Sequence, residues 1–478
     1  MTSCTRLLAV AGLATQTDSH RAAEHTVGRM VTACPVVRLA RGVVLWGVLA
    51  ATLLAPAVAA ADTRTSTGTL PDGTAYRIDV PDPWNGTVLV GLDYAAGTTA
   101  ANETSQALLA RGYAMAGTTR LVTGWDVTQS IANQLATLDI LTKVHGRPTR
   151  TLVYGASLGA HTGAATIQAR PERFDGALLV CGGLAGAVGL WNSKLDAVFV
   201  AKTLLAPTDA SLPVIGIPAD FATTARPAWL RVLAAAQQTP EGRARIALAA
   251  VLAQLPTWSD PSKPEPSAND LEALQAGLYD SLAGSRPVVS QAMSSRHEIE
   301  RRSGGNISTN AGVDYAAQLD RVRGSDIVRE LYRRAGLDLA DDLAALARAP
   351  RVRADQSALA WTAPATWTGR LAVPVLTVNG IGDAISPVAG QEAYERAVRA
   401  AGQGDMLRQV YTRTAGHCGF SAAEIVTAVE ALSARVETGR WDDRTNPHTM
   451  NSLAGALGLG PSRFLPYTPD TFARATAP

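Results

Sequence analysis

The chain has 478 residues, 47% of them hydrophobic, which is enough to bury a large core in more than one structural unit. The formal net charge is only +2 and no basic run is interleaved with aromatic residues, so nucleic acid is not expected as a partner. With 4 cysteines and no His-Glu-x-x-His segment, zinc catalysis is not expected either.

The first 61 residues have the pattern of a secretory signal peptide. Basic residues precede the apolar run 42–54, and small residues follow it up to Ala61. The apolar run is too short to span a bilayer comfortably, so we expect no stable membrane span after signal cleavage. The alternative is an anchor that stays attached. We predict a signal peptide at 1–61, with Met30 as a possible true start, and a secreted protein; N-terminal sequencing tests both points.

Cleavage at this position would remove Cys4 and Cys34 and leave Cys181 and Cys418. Two cysteines in an exported protein either pair as a disulfide or remain two separate buried thiols. Cys181 ends an apolar run and Cys418 directly follows His417, so the two could lie at the same edge of a sheet. The sequence leaves both alternatives open.

Residues 62–183 alternate between predicted strands and helices. The segment 65–80 predicts a hairpin around the turn 71–73. The remaining elements of this part are predicted strands at 87–90, 113–117, 151–154 and 175–181, and predicted helices at 103–111 and 131–144. Such alternation predicts an α/β fold with a mostly parallel sheet that helices cover on both faces.

The alternation lapses over 184–366, where the pattern is helical. The candidate helices are 244–255, 271–282 and 327–347, and the charged stretch 296–302 is expected to form a solvated face. An insertion of this size predicts a helical cap, or lid, between the sixth and seventh core strands.

Strand pattern returns in 367–478, at 373–378 and 407–412, before a predicted helix at 422–436. Residues 464–467 of the loop-rich tail are expected to pack on the core. The predicted organisation is thus a core formed by 62–183 together with 367–478, and a cap formed by 184–366.

A serine lies at the apex of a predicted strand, turn and helix. Residues 155–159 read Gly-Ala-Ser-Leu-Gly, directly after the strand 151–154 and before an Ala-rich helix. The glycines suit a reversal so sharp that side chains there would collide with the neighbouring strand and helix. Such a turn lifts the hydroxyl of Ser157 clear of the sheet, as a nucleophile requires. The alternative is that Ser157 only caps the helix.

An acid and a base follow two later strands. A nucleophilic serine needs a base to take its proton, and the base needs a partner that fixes its tautomer. Asp383 follows the predicted strand 373–378, and His417 follows 407–412. Because such groups come from the carboxyl ends of parallel strands, we predict Ser157, Asp383 and His417 as catalytic residues. The alternatives are a turn residue for Asp383 and a core histidine for His417.

An acyl-transfer site also needs hydrogen-bond donors for the oxyanion. Leu158, the residue after the serine, supplies one backbone N–H. The second is expected from the loop after the strand 87–90, where Asp93 or Tyr94 is the candidate and Tyr94 is selected. The alternative is that Tyr94 only packs on the cap.

On these motifs the chain resembles the α/β-hydrolase superfamily, specifically secreted actinobacterial serine hydrolases with a large helical insertion. The resemblance covers 65–183 and 367–478, where the Gly-Ala-Ser-Leu-Gly segment matches the nucleophile elbow and Asp383 and His417 match the acid and base. It implies hydrolysis of an ester, or less often an amide, through an acyl-enzyme and without a metal. The loop 92–94 departs from the pattern because it lacks the usual His-Gly pair.

The predicted function is that of a secreted serine esterase, a carboxylic-ester hydrolase acting on a small-molecule or polymeric ester. The first alternative is a secreted serine peptidase or aminopeptidase of the same fold. The second is a binding protein that has kept the fold without catalysis. No Gly-rich phosphate or dinucleotide signature follows a strand, so we expect no cofactor.

Overall fold

The computed structural model describes residues 62–284 and 288–477. The predicted signal peptide, 1–61, lies outside the described residues. Among the helices within the described ranges, none has the length and apolar character needed to cross a lipid bilayer.

One mixed sheet runs through the described part of the chain. Its strands are β1 (Asp62–Thr69), β2 (Ala75–Asp82), β3 (Thr87–Leu92), β4 (Ala114–Thr118), β5 (Arg150–Ala156), β6 (Gly176–Val180), β7 (Val375–Gly382), β8 (Leu407–Ala415) and β9 (Phe464–Leu465). Their spatial order is β1-β2-β4-β3-β5-β6-β7-β8-β9. The strands from β4 to β8 in this order pair in parallel, and β1, β2 and β9 pair antiparallel at the two edges. The predicted hairpin and the mostly parallel sheet are confirmed.

Helices cover both faces of this sheet. The helices of the described residues are α1 (Gly97–Ala100), α2 (Glu103–Leu109), α3 (Val127–His145), α4 (Leu158–Ala169), α5 (Gly186–Leu205), α6 (Ala225–Ala236), α7 (Pro240–Leu252), α8 (Leu271–Ala283), α9 (Val288–Ser303), α10 (Tyr315–Leu319), α11 (Ser325–Ala335), α12 (Leu339–Arg348), α13 (Gln356–Trp361), α14 (Ala389–Ala400), α15 (Ala422–Thr438) and α16 (Pro447–Leu457). Leu89 of β3 packs with residues of α2 and α15, whereas Val88 and Val90 pack with residues of α3 and α4. Because side chains alternate along a strand, a strand covered on both faces is apolar throughout.

In the sequence, the helices α5 to α13 come between β6 and β7. Many of them contribute side chains to a hydrophobic core that is separate from the two cores on the faces of the sheet. Trp229 of α6, Leu248 of α7 and Met293 of α9 are fully buried in it. The assignment of this segment as a cap stays a prediction. The predicted single helix at 327–347 is wrong, because Gly336 ends α11 in the left-handed conformation, with φ of 66°, and α12 begins only at Leu339.

The charged stretch 296–302 does not form a simple solvated face. It belongs to α9, and the side chain of Arg296 is only 1% exposed. Its guanidinium donates to the side chain of Ser308 at 3.0 Å and to the carbonyl of Trp191 at 3.1 Å. A charged side chain can be buried when such partners replace water, and the sequence did not show these partners.

Candidate active site

The serine turn is strained in the way that its glycines predicted. β5 ends at Ala156, and Ser157 has φ of 58° and ψ of −120° immediately before α4 begins. The N–H of Ser157 donates to the carbonyl of Val180 at the end of β6, at 2.9 Å. A side chain at Gly155 would place its Cβ 2.2 Å from the carbonyl oxygen of Gly159. The turn therefore requires a glycine at the first of the two positions.

The second glycine of the turn has more room. A Cβ at Gly159 would lie 3.5 Å from the carbonyl oxygen of Leu92, which is an ordinary contact, and its nearest neighbours come from that residue alone. The expectation that both glycines avoid a collision is correct for Gly155 and wrong for Gly159. The same distance shows that the end of β3 lies beside the first turn of α4.

We expect Gly155→Ala to lower the free energy of unfolding by about 2 kcal/mol or more, because the methyl group would meet backbone that cannot move aside. Gly159→Ala is the matched control and should be neutral or stabilising by up to about 1 kcal/mol, since alanine favours helix. Urea unfolding of both variants measures the difference. Equal effects would contradict the asymmetry.

The structure brings the three predicted catalytic side chains together. His417 Nε2 lies 2.6 Å from Ser157 Oγ, and His417 Nδ1 lies 2.8 Å from Asp383 Oδ2. A carboxylate only accepts hydrogen bonds, so Nδ1 carries the proton and Nε2 is free to accept from the serine hydroxyl. The remaining oxygen of Asp383 accepts from the N–H groups of Ile385 and Ser386, both at 2.9 Å. This arrangement can take a proton from Ser157.

Strand order explains why residues 260 positions apart in sequence meet. β5, β6, β7 and β8 are successive parallel neighbours, so their carboxyl ends lie along one edge of the sheet. Asp383 directly follows β7 and is 1% exposed, while His417 follows β8 by one residue and its side chain is 13% exposed. Gly382 sits so close to the connection before α8 that a Cβ would lie 2.1 Å from the carbonyl oxygen of Trp258.

The two proposed oxyanion donors differ in how the structure places them. The N–H of Leu158 is in the first turn of α4, where backbone N–H groups have no acceptor within the helix. Tyr94 turns its side chain into the sheet core beside Leu89 and Met115, so the alternative that it packs on the cap is wrong. Its hydroxyl donates to Asp79 at 2.5 Å, and burial raises the pKa of this phenol above its usual range. Any oxyanion role of Tyr94 therefore belongs to its backbone N–H and stays a prediction.

The loop after β3 is held in place by an ion pair. Asp93 has φ of 74°, an unusual conformation for a residue other than glycine, and its carboxylate accepts from the guanidinium of Arg120 at 2.8 Å. This contact fixes the backbone immediately before Tyr94. The sequence indicated Asp93 only as a backbone donor and gave no sign of its pairing with Arg120, which follows β4 by one residue.

Cys181 and Cys418 form a disulfide, which resolves the alternatives that the sequence left open. Cys181 directly follows β6, and Cys418 directly follows His417. The two sulfurs and a ring nitrogen of His417 all lie within 4.8 Å of one another. Because both sulfurs are bonded to each other, this cluster offers no thiolate ligand for a metal. What it does provide is a covalent link between the loop of the base and the strand beside Ser157.

A buried lysine was also missed. Lys194 of α5 is 3% exposed, and its Nζ donates to the carbonyl of Ile385, in the loop that carries Asp383, at 2.7 Å. The available signal was a lone lysine in the apolar segment 184–201, but α5 was not among the predicted helices.

Comparison with known proteins finds a relative that is similar over most of the chain. No model of a known protein family matches the sequence. A protein from Xanthobacter agilis that is named o-phthalyl amidase is 33% identical over 423 residues, which are 82% of this chain and 91% of that protein. The sheet order, the turn at Ser157 and the contacts among the three side chains define a hydrolase of the α/β-hydrolase fold, as the sequence predicted. Within that class, the chain belongs to the family of the o-phthalyl amidase.

Solved structures with similarity to this chain include esterases. Feruloyl esterase B from Aspergillus oryzae is 15% identical, with a TM-score of 0.38 over 79% of this chain and 80% of that one. The rice cell wall degrading esterase LipA from Xanthomonas oryzae is 11% identical, with a TM-score of 0.32 over 78% and 89% of the two chains. Likenesses this distant say nothing about the substrate.

Proposed function

We propose that the chain is a serine hydrolase that cleaves carboxylic amides and esters through an acyl-enzyme at Ser157. The observation that carries this proposal is the pair of contacts at His417, 2.6 Å to the serine oxygen and 2.8 Å to the carboxylate of Asp383. Amide cleavage is supported by the name of the 33% identical relative, o-phthalyl amidase. Ester cleavage follows because the same acyl-enzyme forms more easily when the leaving group is an alcohol.

In the proposed reaction, Ser157 Oγ attacks the carbonyl carbon while His417 Nε2 takes the hydroxyl proton. The negative charge that develops on the carbonyl oxygen is stabilised by the N–H of Leu158 and, in this proposal, that of Tyr94. The protonated His417 then gives its proton to the leaving amine or alcohol as the bond to carbon breaks. Asp383 stabilises the charged imidazole throughout.

A water molecule completes the cycle. His417 takes a proton from the water, whose oxygen attacks the acyl carbon, and the second tetrahedral species collapses to a carboxylic acid. The proton on His417 returns to Ser157 Oγ, which restores the starting state. One substrate and one water are consumed and one acid and one amine or alcohol are released, so the proposed cycle needs no cofactor. Export of the enzyme, which the pattern of 1–61 predicts, is part of the same proposal.

A panel of four acyl compounds tests the bond and the acyl group that the enzyme accepts. We expect hydrolysis of an o-phthalyl amide and of a p-nitrophenyl ester, with slower hydrolysis of the matched benzoyl amide, which lacks the second carboxyl group. The aminoacyl p-nitroanilide should be cleaved slowest. Cleavage of the anilide alone would favour the peptidase alternative, and cleavage of none would contradict the proposal.

A further inference from the structure

Lys194 is an ionisable residue in a place where a charge is costly. It lies in α5, whose residues from 186 to 201 are all buried, and its own side chain is 3% exposed. An ammonium group removed from water destabilises the protein unless a hydrogen bond or an opposite charge replaces the solvent. The partners of Lys194 therefore indicate what the residue does.

Those partners belong to the loop that carries the acid. Lys194 Nζ donates to the carbonyl of Ile385 at 2.7 Å, while the N–H of Ile385 donates to Asp383 Oδ1 at 2.9 Å. The segment 385–386 is thus bound at two points. The ammonium group of Lys194 on α5 donates to its carbonyl, and its N–H groups donate to the carboxylate of Asp383. A rotation of this segment would break both contacts and move Asp383 away from His417.

Two charged groups act on Lys194 from the elements around it. Burial lowers the pKa of Lys194 to about 7; the negative charge of Asp383 opposes this shift, and the positive charge of Arg296 on α9 adds to it. The indole ring of Trp191 is 6.0 Å from Nζ.

We propose that Lys194 is a positioning residue for the catalytic acid, holding the loop of Asp383 in the orientation that keeps His417 aligned with Ser157. The inference rests on the proposed function. Lys194 acts through Ile385 and Asp383, not on the substrate. Because α5 lies between β6 and β7, this segment of the chain supplies a part of the catalytic machinery as well as any covering of the site.

Lys194→Met tests the proposal, and Lys202→Met is its matched control. Lys202 is on the same helix and also donates to a backbone carbonyl, that of Leu212 at 2.8 Å. We expect Lys194→Met to lower kcat by about 10- to 100-fold, with KM changed far less, because a misaligned acid affects the transition state more than binding. The control should keep the kcat of the wild type.

The pH profile separates positioning from a general loss of structure. The acid limb of kcat/KM should move to higher pH in Lys194→Met, because a positive charge beside the loop of Asp383 is lost, whereas a general loss of structure would lower kcat/KM at every pH. Lys194→Gln keeps a donor without the charge, and we expect the same shift with a smaller loss of kcat. This second variant carries the test if the methionine variant does not fold. A wild-type kcat and an unmoved acid limb in either folded variant would overturn the proposal.

The rate at which a fluorophosphonate labels Ser157 tests the proposed function and the role of Lys194 separately, since labelling does not depend on the natural substrate. An unlabelled wild type would overturn the proposed function itself. A labelled wild type with Lys194→Met labelled at the same rate would overturn only the role of Lys194. Slower labelling of Lys194→Met, with Lys202→Met unchanged, is the expected result.

Discussion

Ser157→Ala is expected to leave a folded protein whose kcat falls by about 10⁴- to 10⁶-fold. The reason is that the hydroxyl is the only group at the turn placed 2.6 Å from His417 Nε2, so without it the base has no nucleophile to activate. Residual turnover would come from attack by water on the bound substrate, with the oxyanion donors stabilising the negative charge that develops. The measurement is hydrolysis of a p-nitrophenyl ester together with the thermal unfolding midpoint.

Other replacements in the same unit should not add to this loss. Ser157→Ala combined with His417→Ala should be about as slow as either alone, because nucleophile and base act together. Asp383→Asn should lower kcat by about 10⁴-fold, since an amide N–H facing Nδ1 would force the wrong tautomer on His417.

Ser433→Ala is the control for these variants. Ser433 is a buried serine on α15, and its hydroxyl accepts a hydrogen bond from that of Tyr113 at 3.4 Å. This variant should keep wild-type kcat. Retention of ester hydrolysis by Ser157→Ala would show that another group is the nucleophile, and the proposed function would be withdrawn.

Removal of the disulfide is expected to have the largest effect on stability. The Cys181–Cys418 bond closes a loop of 237 residues, and loss of such a link frees the unfolded chain by about 5 kcal/mol in the chain-entropy account. Cys181→Ala combined with Cys418→Ala avoids leaving a free thiol. Its urea midpoint should fall well below that of the wild type, and kcat should fall because His417 directly precedes Cys418.

Reduction of the wild type provides an independent comparison with the same expected direction. Dithiothreitol should lower the urea midpoint of the wild type towards that of the double alanine variant and should leave the variant itself unchanged. Two free thiols titrated in the unfolded, unreduced protein would show that the bond does not form in solution.

The sheet and its serine turn could be predicted from the sequence because both depend on neighbours along the chain. Residues 88–90 are all apolar because β3 is covered on both faces, and this pattern is visible without any tertiary information. The turn at Ser157 depends on Gly155 two positions away, whose missing side chain makes room for Gly159. The predicted helix 271–282 agrees with α8 because Asp270 caps its first turn locally.

Other elements were not predicted, because their environment is formed by residues that are distant in the sequence. α5 is buried on nearly all sides, so it shows no polar face and no periodic contrast. Arg296 lies in a charged stretch typical of a surface, and the groups that accept hydrogen bonds from it, the hydroxyl of Ser308 and the carbonyl of Trp191, lie outside that stretch. The helix α16 in the tail was not predicted. The expected packing of 464–467 on the core is observed in part as β9, which pairs with β8.

The α/β class, the order of the strands along the chain and the three side chains that meet at the proposed active site could be read from the sequence, since each follows from local pattern and strand ends. The partners of these residues became visible in the fold alone: the disulfide beside His417, the lysine that donates to the loop of Asp383 and the hydroxyl of Tyr94 that donates to Asp79. A buried polar or charged group is stabilised by a hydrogen-bond partner or an opposite charge within a few ångströms of it. That partner is set by the packing of separate elements and leaves no mark in the residues next to it in sequence.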